Sequence, residues 1–154
     1  MTVLLLLLTA HFIGDFYLQP RTWIENRHAR GIKASALYKH SLIHFLLATL
    51  TLHIAGIGIV SAIMWGLLIA LTHWLIDWAK SGHHSLSAFI LDQVAHIVAI
   101  VTVSAFITGV TAAQVSEMAA TLVQPDTLLY LLGYIVVLNP ASILIAQVLA
   151  RHTK

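Results

Sequence analysis

Eight ionisable side chains recur in pairs four residues apart: His11 and Asp15, His40 and His44, His73 and Asp77, Asp92 and His96. On a helix that spacing puts both members on one face, one turn apart. Each pair interrupts an otherwise apolar run, and together they take three of the six acids and five of the ten histidines. In an apolar setting such groups can ligate a metal, relay protons or hydrogen-bond a neighbouring helix.

The surroundings make the pairs expensive. The chain has 154 residues, 59% hydrophobic and 9% charged, with a mean hydropathy of +0.90. A soluble domain of this size cannot hide that much apolar surface, and the apolar runs are long enough to span a bilayer. The expected fold is all-α: a polytopic transmembrane helical bundle of about five helices, forming a single integral-membrane domain over 1–154. The apolar segments are 2–19, 37–54, 58–80, 85–109 and 127–150, and the second and third form a hairpin across the turn in "HIAGIG". Cysteine is absent, which removes disulfides and thiolate metal sites. The first segment has neither the basic n-region nor the small-residue cleavage site of a signal peptide. The pI of 9.2 reflects a few basic residues in the connections, a topology signal in place of a nucleic-acid patch, so no nucleic-acid partner is expected.

Charge orients the bundle. The 20–36 connection holds Arg21, Arg27, Arg30 and Lys33 against Glu25, with Lys39 following, and by the positive-inside rule it is cytoplasmic. The N-terminus is then outside, the Lys80 turn inside, the 110–126 connection with Glu117 and Asp126 outside, and Arg151 and Lys154 inside. Tyr17, Trp23, Tyr38, Trp74 and Trp78 fall near the cytoplasmic boundary, as interfacial anchors do. At about 1.5 Å of rise per residue, all eight ionisable residues lie roughly 5–16 Å from that boundary. The deeper layer is His11, His44, His73 and His96, and the shallower is Asp15, His40, Asp77 and Asp92. The first four helices therefore enclose one polar site.

An ionised Asp near the bilayer centre costs about 2.5–3.5 kcal/mol, so the three need partners. Lys and Arg cannot supply them, because the helix interiors contain none, which leaves histidinium or metal. Two divalent cations balance three aspartates and a bridging hydroxide. Nitrogen and carboxylate donors without sulfur suit zinc, with iron or manganese as alternatives. All eight residues are candidate metal ligands. Asp15 or His40, in the shallow layer, is the candidate proton shuttle, and Gln19 and Gln93 are candidate supporting or substrate-contacting groups. His28, His53, His83, His84 and His152 read as loop or interfacial residues. Asn139-Pro140 is expected to kink the fifth helix.

The stretches "HFIGDFYLQPRTWIENR", "HSLIH", "HWLID" and "LDQVAH" resemble the bacterial integral-membrane family catalogued as domain of unknown function 3307. The resemblance covers residues 4–100 well and the last helix loosely. It carries over to His11, Gly14, Asp15, Phe16, Gln19, His40, His44, His73, Asp77, Asp92, Gln93 and His96, and it implies a shortened or truncated version of longer members. It names no activity. More distantly the chain is similar to inner-membrane proteins labelled metal-dependent hydrolases.

The expected function is a metal-dependent intramembrane hydrolase of the bacterial inner membrane, its C-terminus cytoplasmic. It would act from the cytoplasmic leaflet on a lipid-like or membrane-embedded substrate, with metal-bound hydroxide as nucleophile. The alternatives are a divalent-metal transporter or sensor, a di-iron membrane oxidase, and a structural membrane protein with a polar His/Asp core. Whether the chain forms a homo-oligomer is left open.

Overall fold

The computed structural model describes residues 2–83 and 85–111, with scattered positions between 113 and 130. Among these, every regular element is helical. The chain divides at Gly109 into two units, Met1–Gly109 and Val110–Lys154. In the second, Thr111 donates from both its backbone N and its Oγ1 to Gln114 Oε1, at 2.9 and 3.1 Å. The expected fifth helix lies almost wholly outside the described residues, as do His84, the Asn139-Pro140 pair and His152.

The first unit contains α1 (Thr2–Phe12), a π-turn (Ile13–Tyr17), α2 (Arg21–Arg30), a 3-10 turn (Gly31–Lys33), α3 (Ser35–Ile54), α4 (Ile59–Lys80) and α5 (Leu86–Thr108). Helices α1, α3, α4 and α5 pack in a ring, α1 on α3, α3 on α4, α4 on α5 and α5 on α1. The boundaries follow local chemistry. Pro20, extended at φ −65° and ψ 146°, pushes the preceding residue out of the helical region and opens α2 in its place. Ser85 caps α5 by accepting from Ala88 N at 3.1 Å. Gly109 ends α5 in the left-handed conformation, φ 64°, which glycine adopts without steric cost.

Two helices, Ile59–Lys80 and Ser87–Thr108, are long and apolar enough to cross a membrane. A third span results if Thr2–Tyr17 and Arg21–Lys33, bent by 85°, act as one. At 22 residues α4 is about 33 Å long, the thickness of a hydrocarbon core. α3 has 20 residues but falls short on composition, because Lys39, His40, His44 and His53 lower its hydropathy. Two of these histidines point inward and are buried. Leu42, Leu46 and Leu50 on α3, with Leu67, Leu71 and Leu75 on α4, point outward and are exposed. An apolar exterior around a polar interior inverts the soluble pattern.

The inside of the bundle is split lengthwise. One end is a hydrocarbon core of Leu7, Ala48, Leu52, Ala62, Ile69, Ile100 and Val103. Small residues set its spacing. A Cβ on Gly66 would lie 2.3 Å from Thr49 Oγ1 and 3.3 Å from Thr49 N, so α3 and α4 pack as closely as a bare glycine permits. The other end holds the ionisable residues.

Candidate metal centre

The four imidazoles of the deeper layer meet on the bundle axis. The His44 and His73 rings stack at 3.6 Å between centroids, His73 and His96 lie at 4.1 Å, and His11 stacks on His96 at 5.0 Å. All four are buried. The Nε2 atoms of His11, His44, His73 and His96 are inaccessible to solvent and make no hydrogen bond. Leaving one such group unsatisfied costs about 1–3 kcal/mol, so four around one small cavity mark a position built for something else. A cavity of about 10 Å³ lies among these rings, closed by Leu7, Ala48, Ile69 and Ile100. It is the size of one water or one ion.

Asp15 enters this layer, although regular helical spacing puts it one turn shallower. The π-turn is the reason. Leu18 N donates to Ile13 O at 3.0 Å, an i to i+5 bond that adds a residue to the turn and re-aims what it carries. Asp15 Oδ1 lies 3.1 Å from His44 Nε2, 3.2 Å from His40 Nε2 and 3.6 Å from His73 Nε2, and its Oδ2 lies 3.7 Å from His11 Nε2. Gly14 makes room: a Cβ there would fall 2.4 Å from His44 Cε1. Donor atoms from His11, Asp15, His44 and His73 all lie within 4.8 Å of one another. Tetrahedral coordination with bonds of about 2.0–2.1 Å separates its ligand atoms by about 3.3–3.4 Å. From Asp15 Oδ1 the separations of 3.1 and 3.6 Å to His44 and His73 bracket that value, and His11 lies 3.7 Å from Oδ2. Two further groups could hold an ion, His40 with His73 and Asp77, and Asp77 with Asp92 and His96.

The expectation that no Lys or Arg reaches the aspartates is corrected. Arg27 pairs with Asp77, both side chains buried, and Lys80 Nζ donates to Asp92 Oδ2 at 2.7 Å. The connection that holds Arg27 folds into α2, which packs on α3. A signal for it exists in the sequence: Pro20 and Gly31 bracket a stretch free of other breakers, the start and stop of a helix. Lys80 reaches Asp92 because Gly82, at φ 88°, turns the chain tightly between α4 and α5. Asp15 alone of the three acids has no Lys or Arg partner among the described residues. Its partners are imidazoles and Gln93, whose Nε2 donates to Asp15 Oδ2 at 3.0 Å and to Asp92 Oδ2 at 3.3 Å. The charge count behind a second cation therefore weakens at Asp77 and Asp92 and stands at Asp15.

The remaining candidates fall into place around this point. His40 is buried and bridges Asp15 and Asp77, at 3.2 and 3.6 Å from Nε2. The Nδ1 of His96 lies 2.9 Å from the Asp92 carbonyl oxygen, which accepts and so leaves Nε2 as the free lone pair facing the other rings. Gln19 lines a cleft of about 270 Å³ at the bundle end, with Asp15, Arg27, Asp77, Lys80 and Gln93 among its walls. His28 accepts from Gly82 N at 3.1 Å, tying α2 to the turn after α4. His53 sits at the α3–α4 turn, its Nδ1 3.3 Å from Ile57 O. Trp74 and Trp78 stack along α4 at 5.9 Å, and Tyr38 on α3 lies tilted against Trp74 at 6.1 Å.

Membrane-length helices around a buried histidine and aspartate cluster define an all-helical protein with a polar centre in an apolar bundle. The chain belongs to the family described as Protein of unknown function (DUF3307), whose profile matches residues 3–124. No curated protein matches the chain, and no solved structure does.

Proposed function

We propose that this protein is a metal-dependent hydrolase of the bacterial inner membrane, with a divalent ion held by His11, Asp15, His44 and His73. The observation that carries the reading is the convergence of unpartnered, buried Nε2 atoms on Asp15, which alone of the three clustered aspartates lacks a Lys or Arg partner among the described residues. Three nitrogens and one oxygen suit zinc, with iron or manganese as alternatives. Arg27 stands beside Asp77, where a second ion would otherwise bind to His40, His73 and Asp77, so the charges call for no more than one ion.

A bound divalent ion supplies a hydroxide near neutral pH. In hydrolysis the water oxygen would add to the acyl or phosphoryl centre as its proton passes to His40, and His40 would return that proton to the leaving atom as its bond breaks. His40 suits this role because its Nε2 is hydrogen-bonded to Asp15 Oδ1 while its Nδ1 has no partner. The cleft beside Asp15 gives a substrate access from the end of the bundle.

Five spans with the N-terminus outside and the C-terminus cytoplasmic remain our topology. Its support is the basic α2 region, the acidic 110–126 connection and the outward leucines of α3 and α4. The site then opens toward the cytoplasmic leaflet and a lipid-like or membrane-embedded substrate.

Metal analysis by mass spectrometry of natively purified protein tests the centre. We expect close to one ion per chain in the wild type and loss of it in His44→Ala. A stoichiometry near zero in the wild type overturns the reading. The Arg27–Asp77 and Lys80–Asp92 pairs favour a second reading, a structural polar core, which predicts that the same substitution lowers stability with no metal to lose.

A further inference from the structure

The cleft at the bundle end carries more than access. Its walls bring together Arg27, Lys80, Gln19 and Gln93 beside Asp15. Both cations are drawn out of solvent: the Arg27 side chain is 5% exposed and that of Lys80 14%. Arg27 spends Nη1 on Asp77, and its Nε is buried without a partner. Lys80 is held by Asp92 at 2.7 Å and lies 5.0 Å above the Phe89 ring. Gln93 leaves its Oε1 unpartnered.

Charge decides what the cleft accepts. Asp15, Asp77 and Asp92 are balanced against Arg27 and Lys80 with one negative charge left over. A divalent ion at Asp15 turns that into one positive charge. A neutral ester or amide would leave it uncompensated in a poorly solvated site, whereas an anionic group neutralises it. A planar guanidinium and an ammonium flanking a metal are the donor set that recognises phosphate oxygens. The rim is apolar on one side: Phe16 and Ile24 line the cleft, and the exposed Phe16 ring lies 6.0 Å from that of the exposed Phe12.

We infer that the cleft binds the phosphate group of a membrane amphiphile, with Arg27 and Lys80 as its fixed cations and the apolar tail lying along the Phe12–Phe16 edge. The inference rests on the metal-centre reading for its net charge. It narrows the substrate class from any ester or amide to a phosphate ester.

The test uses the full chain in phosphatidylcholine nanodiscs, with metal content measured on the same sample. Phosphatidic acid is compared with diacylglycerol of the same chains, and soluble glycerol phosphate is added as competitor. We expect phosphatidic acid to bind at least tenfold more tightly than diacylglycerol. Lys80→Gln should weaken it by about tenfold, as loss of one charge-assisted bond does, and Lys80→Arg should restore it, both with metal content unchanged. If metal is present and the two lipids bind alike, the phosphate assignment falls and the metal centre stands. If metal is absent, the cleft keeps one negative charge, and a preference for phosphatidic acid that persists overturns both the metal centre and the net-charge argument. If neither is found, both fall. Glycerol phosphate competing as well as phosphatidic acid would keep the phosphate and overturn the amphiphile.

Discussion

Asp15 Oδ1 and His44 Nε2 meet at 3.1 Å across a gap that exists because residue 14 has no side chain. The two groups belong to different helices and are 29 positions apart in sequence, by their residue numbers. Their contact depends on Gly14 and on the π-turn closed by Leu18 N and Ile13 O.

Gly14→Ala therefore tests the centre without removing a ligand. Its Cβ would fall 2.4 Å from His44 Cε1, so the ring must swing away from Asp15. Metal affinity should drop by about 10–100-fold, the range for a lost supporting contact, while circular dichroism still reports a helical protein. Titration with zinc in competition with a chelator measures it. Unchanged affinity would mean that His44 is no ligand.

Within the histidines, position separates those that matter to the metal. His73→Ala should abolish stoichiometric binding, because His73 Nε2 is buried, unpartnered and 3.6 Å from Asp15. His53→Ala, exposed at the α3–α4 turn, should retain the wild-type content. Mass spectrometry of both proteins purified side by side gives the comparison.

The Arg27–Asp77 pair makes a prediction about stability. Truncating Arg27 alone leaves a buried carboxylate without its cation, a loss on the order of 3–5 kcal/mol. Arg27→Met combined with Asp77→Leu removes both charges and should recover much of that loss. Thermal unfolding in detergent of the two proteins should show the double variant melting higher. Equal melting temperatures would remove the pair as a structural tie.

At the apolar end, Gly66→Ala places a methyl 2.3 Å from Thr49 Oγ1 and should cost about 1–3 kcal/mol by overpacking. Adding Thr49→Ala vacates the clash and should restore part of the stability. The ionisable residues lie toward the opposite end of the bundle, so metal content should survive in both variants. Unfolding curves and metal analysis on the same samples check the two halves of the claim.

Helical character, the four i, i+4 pairs and their shared depth were legible in the sequence, because periodicity and apolar run length act locally along the chain. So was the inward direction of His40 and His44 on a helix whose other positions are leucine-rich. The identity of the aspartates' partners was not legible. Arg27 lies 50 positions from Asp77, by their residue numbers, and reaches it through a helix that Pro20 starts and that bends 85° from the one before it.

What the sequence determined by itself is an apolar helical chain with a costly set of imidazoles and carboxylates on inward faces. Transfer energies and helical repeat are properties of each segment alone, and no neighbour is needed to state them. Tertiary structure decided which acid is left without a cation. It did so through the π-turn that lifts Asp15 into the imidazole layer, and through α2 and the Gly82 turn, which deliver Arg27 and Lys80 to the other two. Ion pairing depends on a few ångströms of separation between distant segments, and that distance exists only once the helices have packed.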